Sequence, residues 1–137
     1  MENLTEKNLT DIFGNKFLSP KNYSALTLAY IGDCVYELYV RGYLIQKSDQ
    51  KVNLLHKTST GFVCAKAQAE LYHRIKDMLS EDETAVFHRG RNTKSHVPKN
   101  AVVSDYRIAT GIEALFGYLY ITGKKDRISE LLQQLFI

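Results

Sequence analysis

The chain has 137 residues, enough for one domain with a core of its own but too few for that domain plus an RNA-binding module of ordinary size. Its 18 Lys and Arg against 15 Asp and Glu give a net charge of +3, and charged residues make up 24% beside 45% hydrophobic ones, which excludes both a histone-like basic tail and a membrane protein. No apolar run approaches the roughly 18 residues of a spanning helix, and the N-terminal MENLTEKNLTDIF lacks the plan of a signal peptide, so a cytoplasmic protein is expected.

From Ser24 to Ile45 apolar residues recur at Leu28, Ile31, Val35, Leu38 and Ile45, a helical stripe, while Ala29, Tyr30, Tyr36 and Val40 spread apolarity around most of the circumference. That pattern predicts a central, buried helix. A second helix is expected from near Gln50, and a third over about Gly61 to Met78 through Val63, Ala67, Leu71 and Ile75. Ser80 followed by Glu83 is a capping-box pattern, opening a short helix that ends near His88. Residues 88–100, HRGRNTKSHVPKN, have the composition of a loop. A further helix is predicted over about Val102 to Ile121, with Ile108, Ile112, Leu115 and Leu119 as its stripe and Gly123 as its stop. The last, over about Lys125 to Phe136, places Ile128, Leu131, Leu132 and Leu135 on one face. With no sustained period-two alternation, no repeat and no linker, the expectation is an all-α fold with residues 1–137 as a single domain. Cys34 and Cys64 sit in hydrophobic runs without Cys-x-x-Cys spacing and are expected to be buried. His56, His73, His88 and His96 show no zinc-type pairing.

Two carboxylates stand apart. Asp33 is the one charge in the helical row Ala29, Asp33, Tyr36, Val40, and Glu113 the one charge in the row Ala109, Glu113, Phe116, Tyr120. A carboxylate in an apolar setting needs compensation, which a hydrogen bond, an ion pair or a metal can supply. Gly32 and Gly111 lie close to them, and a glycine inside a helix suggests close approach of two backbones. If the two helices cross there, Asp33 and Glu113 face each other. They then share a divalent cation such as Mg²⁺, or each pairs with a basic residue or a tyrosine hydroxyl. Glu37 reads as an ordinary surface partner of Arg41. In the segment 88–100, Arg89, Arg91, Lys94 and Lys99 alternate with Asn92, Thr93, Ser95, His96 and Asn100, with no acidic residue among them. Such donors fit phosphate and ribose.

LTLAYIGDCVYELYVRGYL resembles the signature helix of the ribonuclease III catalytic domain, usually Glu-x-x-Glu-Phe-Leu-Gly-Asp, and YRIATGIEALFGYLY resembles its second acidic helix, Ala-Asp-x-x-Glu-Ala-Leu-x-Gly. With HRGRNTKSHVPKN between them, the chain looks like the mini-ribonuclease III branch, which has the catalytic domain without the double-stranded RNA-binding domain. The resemblance covers about residues 22 to 123. It implies that Asp33 and Glu113 bind Mg²⁺ and activate the water that cleaves a phosphodiester. The family's other carboxylates fall at Leu26, Ala29 and Thr110 in this chain, so two of four are kept.

The resemblance further implies an all-helical two-fold homodimer that cuts structured double-stranded RNA to 5′-phosphate and 3′-hydroxyl ends. Its expected substrate is the precursor of large-subunit (23S) ribosomal RNA, with an accessory ribosomal protein as a further partner. Arg89, Arg91, Asn92, Lys94, Lys99 and Asn100 would position the RNA, and Thr58 to Val63 would contribute to the dimer. The missing carboxylates also suggest an alternative: a catalytically weak or inactive duplex-RNA-binding ribosome-assembly factor.

Overall fold

The computed structural model describes residues 17–94 and 96–137; the N-terminal stretch read for a signal peptide and the loop donor Ser95 lie outside them. Among the described residues the regular elements are all helical. In chain order they are α1 (Ala25–Lys47), α2 (Val52–Val63), α3 (Ala65–Ile75), α4 (Glu81–Asn92), α5 (Val103–Ile121) and α6 (Lys125–Leu132), with short 3-10 turns at Pro20–Asn22, Lys76–Met78 and Gln133–Phe136.

The central helix is α5, not the first one. Ala109 to Ile112, Ala114 to Gly117 and Leu119 are all buried, and α5 packs against α1, α3, α4 and α6. Helix α1 starts at Ser24, whose hydroxyl accepts from the Thr27 amide at 3.0 Å. It buries Leu28, Val35, Tyr36 and Val40 against α5 but leaves Leu26, Tyr30, Leu38 and Ile45 exposed. Apolarity around a whole circumference is compatible with a core position or with a surface kept for a partner, and periodicity cannot separate the two. Cys34 lies on this exposed face and Cys64 at the α2–α3 junction, so both are exposed rather than buried.

Glycines set the two closest crossings. A Cβ on Gly32 would overlap the Glu113 carbonyl, and one on Gly117 would overlap the Leu28 carbonyl, so Gly117 rather than Gly111 is the partner of Gly32 in the α1–α5 crossing. Gly111 instead meets Gly90 of α4, where a Cβ on Gly90 would come within 2.8 Å of the Gly111 Cα. This explains why Gly90 sits inside a helix that runs on to Asn92, in a segment whose composition suggests a loop from residue 88. Likewise, the helix of Val52 continues through Gly61 and breaks only at Cys64, whose ψ of 159° is extended.

The capping box forms as expected, with the Ser80 amide donating to Glu83 at 2.8 Å and the Glu83 amide to the Ser80 hydroxyl at 3.2 Å. Glu83 is also buried against Arg127 of α6, whose Nε and Nη2 both donate to its carboxylate at 2.9 Å while Nη2 reaches the Met78 carbonyl at 2.7 Å. A capping residue therefore doubles as the anchor for the C-terminal helix.

Two outcomes are expected. Gly32→Ala or Gly117→Ala should cost about 3 kcal/mol or more, because the obstacle is backbone, whereas Gly42→Ala, with nothing within 4 Å, should gain up to about 1 kcal/mol from helix propensity. Similar urea midpoints for the three variants would contradict the close crossing. The Arg127 guanidinium holds Glu83 below its ordinary value of 4.5, so its stabilisation is complete above that pH and is lost as the pH falls through and below it. Thermal melts between pH 6 and 3 should show the wild type losing more stability than Glu83→Gln; parallel curves would refute this.

Candidate active site

Because Gly32 lets α5 approach at the Glu113 carbonyl, the next residue on α1, Asp33, is placed opposite the Glu113 side chain. The two carboxyls come within hydrogen-bonding reach of each other. They line one wall of a cleft of about 450 Å³ between the first turns of α1 and the N-terminal half of α5. Leu26, Ala29 and Thr110, the positions where the resemblance expects further carboxylates, line the same cleft. The Thr110 hydroxyl is turned to its own helix, donating to the Tyr106 carbonyl at 3.0 Å.

Electrostatics here are unbalanced. Burial pushes Glu113 up to about 8, and proton sharing with Asp33 and the Asp33 charge act in the same direction, while Gln68 opposes them by hydrogen-bonding the charged form. Among the described residues no Lys, Arg or His lines the cleft, which leaves the carboxylate pair without the basic partner considered as one alternative. The pair can share a proton or hold a cation. The donor set is two carboxylates with open space on one side, suited to a hard divalent ion that keeps most of its own water. Among the described residues no group of three or more His, Cys, Asp or Glu is gathered.

Beneath the carboxylates lies a polar layer that the sequence reading missed. The Tyr36 hydroxyl, kept protonated by burial, donates to the Phe62 carbonyl at 2.9 Å, and Gln68 Nε2 donates to the Val63 carbonyl at 2.9 Å. Gln68 is a polar residue on the buried face of α3, in the row that includes Leu71 and Ile75, and that was the available signal.

The basic candidates divide between helix and loop. Arg89, Arg91 and Asn92 belong to the last turn of α4, and Lys94, Lys99 and Asn100 to the connection before α5. Arg89 is already engaged, its Nη2 donating to the Tyr23 carbonyl at 2.7 Å, and Arg91 Nε donates to Asn92 Oδ1 at 3.3 Å. Lys94, Lys99 and Asn100 are exposed. Arg89 and Arg91 flank Gly90, which meets α5 at Gly111, whereas Lys94, Lys99 and Asn100 lie in the connection that leads to Val103, about 15 Å before Glu113 along the helix. Glu37 pairs with Arg41 at 2.8 Å on the surface, as its spacing predicts.

The ribonuclease III domain profile matches residues 26–124. A mini-ribonuclease 3 of Enterococcus faecalis is 48% identical over 115 residues, covering 82% of this chain and 87% of that one. One of a Thermoanaerobacter species is 46% identical over 133 residues, covering 93% and 94%. In three dimensions, the crystal structure of a Fusobacterium nucleatum protein superposes with a TM-score of 0.78 at 31% identity, covering 85% of this chain and 93% of that one. A match over most of the chain, on the helices that carry both motifs, makes this endoribonuclease a member of the ribonuclease III family, of the mini-ribonuclease III type.

Proposed function

We propose that this endoribonuclease cleaves structured double-stranded RNA with Mg²⁺ held between Asp33 and Glu113, and that its substrate is the large-subunit (23S) ribosomal RNA precursor. The observation that carries the reading is the pair of facing carboxylates in an open cleft that no basic residue lines among the described residues. When bound, Mg²⁺ would lower the pKa of a coordinated water and offset charge on the scissile phosphate, leaving 5′-phosphate and 3′-hydroxyl ends. Asp33 and Glu113 would supply its protein oxygens. Glu113 must release its proton to do so, so cation affinity should fall as the pH drops below about 8. With two carboxylates among the described lining residues, RNA phosphate and water would complete the shell.

The exposed apolar face of α1, including Tyr30 at 83% exposure and Leu38 at 66%, supports a homodimer, as do Val52 and Leu54 on α2. In such a dimer each protomer brings one set of Arg89, Arg91, Asn92, Lys94, Lys99 and Asn100 to the duplex. Two copies grip what a separate binding domain would otherwise hold. A-form RNA is read mainly by shape, phosphate and ribose, which suits these donors. A ribosomal protein bound to the precursor is a fitting accessory partner, and the cytoplasm is the fitting compartment.

Asp33→Asn and Glu113→Gln should each lower cleavage of a labelled duplex more than about 100-fold at millimolar Mg²⁺, beyond the effect usual for a supporting residue, and EDTA should abolish it. Near-normal cutting by either variant would refute the assignment. Burying an ionised Glu113 opposes folding, so its stability contribution is complete below its ordinary value of 4.5 and is lost as the pH rises through about 8. Metal-free Glu113→Gln should therefore melt at or above the wild-type temperature at pH 8, which separates lost activity from lost fold. For the basic region, Arg91→Ala and Lys94→Ala should weaken duplex binding and flatten its salt dependence by about one ion each. Unchanged slopes in filter binding would remove this region from the interface.

A further inference from the structure

The junction between α2 and α3 interrupts two helices at Cys64 and leaves the Phe62 and Val63 carbonyls to be satisfied by side chains. Each of those side chains leads towards a candidate carboxylate. Tyr36 lies three residues beyond Asp33 on α1, and the Gln68 carboxamide is within hydrogen-bonding reach of Glu113. Gln68 itself is 3% exposed, and its buried Oε1 has no hydrogen-bond partner among the described residues.

A methionine of similar length and shape would remove that buried oxygen but would strip the Val63 carbonyl of its donor, exchanging one unpaired group for another. Stability alone therefore does not select glutamine at this position. What glutamine adds is a neutral nitrogen with two N–H groups. One is fixed on the Val63 carbonyl at 2.9 Å, and the other is available to Glu113. A carboxylate that binds a cation through one oxygen is oriented by whatever holds the rest of it, and such supporting contacts are typically worth 10–100-fold in metal affinity. With Leu26, Ala29 and Thr110 contributing no carboxylate to the cleft, correct aim of the remaining two matters more. A glutamate at position 68 would reach equally far, but it would bring a further negative charge and no donor.

We propose that Gln68 is a positioning residue of the active site, its carboxamide anchored on the Val63 carbonyl and directing the Glu113 carboxylate into the cleft for divalent-cation binding. The inference rests on Glu113 being a cation ligand, and the experiment separates the two. Mn²⁺ binding in the absence of RNA, followed by the paramagnetic resonance of free Mn²⁺, is measured for the wild type, Glu113→Gln and Gln68→Met, with a thermal melt of each. Gln68→Met should bind Mn²⁺ about tenfold more weakly, keep a cooperative thermal melt, and need a correspondingly higher Mg²⁺ concentration for half-maximal cleavage with the KM for duplex unchanged. Glu113→Gln should lose the site.

Gln68→Met binding within twofold of wild type, while Glu113→Gln does not bind, overturns the role of Gln68 alone. Glu113→Gln binding like wild type overturns the ligand assignment and the inference with it. If Gln68→Met unfolds, the wild-type protein still decides. The assigned Gln68 side-chain amide resonances should move on Mg²⁺ addition and differ in Glu113→Gln, and resonances that stay fixed in both comparisons overturn the proposal.

Discussion

The rest of the molecule depends on how closely α1 and α5 cross. Two glycines, Gly32 and Gly117, face the opposing backbones at Glu113 and Leu28, and neither position has room for a Cβ. A crossing this tight fixes both the separation and the register of the two helices, because a slip along either axis would bring a side chain against a carbonyl. Asp33 follows Gly32 directly, and Glu113 contributes the carbonyl on which Gly32 rests. The placement of the carboxylate pair is thus a property of backbone packing, and the flanking core of Tyr36, Ile112, Leu115 and Phe116 keeps it rigid.

That geometry has an electrostatic cost. Two carboxyls in reach of each other, one of them largely buried, cannot both be ionised cheaply, and Glu113 is pushed up to about 8 as a result. Core charges elsewhere in the chain are treated differently. Glu83, buried on α4, is given a bidentate arginine and a capped helix start, and it is held below the ordinary range. The contrast within one small protein separates a carboxylate used as a structural tie from a pair that no basic side chain faces among the described residues. The unsatisfied pair is the one that opens to a cleft.

Much of this was legible in the sequence because it depends on local pattern. The stripes of Ile108 to Leu119 and Ile128 to Leu135, the Ser80–Glu83 box, and the isolation of Asp33 and Glu113 in apolar rows all follow from residues within a few helical turns. What escaped depends on contacts between distant segments. Gly90 has a loop-like signature but serves the α4–α5 crossing against Gly111, and Gly117, which no carboxylate marks, is the true partner of Gly32. Cys34 sits among apolar residues that turn out to be the outward face of α1. Arg127 gave no local sign that it would reach back 44 residues to Glu83. Gln68 was missed because a single amide on an apolar face gains meaning only once Val63 and Glu113 are seen on either side of it.

The chain therefore concentrates its chemistry at one helix crossing, with a neutral polar layer below the carboxylates and basic residues on the last turn of α4 and the connection to α5. The most direct measurement of this arrangement is an anomalous difference map from a crystal of the protein soaked in Mn²⁺. It should show a peak in the cleft within about 2.0–2.2 Å of one oxygen each from Asp33 and Glu113. A well-occupied Mn²⁺ peak elsewhere with this cleft empty, or a Lys or Arg side chain folded between the two carboxylates, would contradict it.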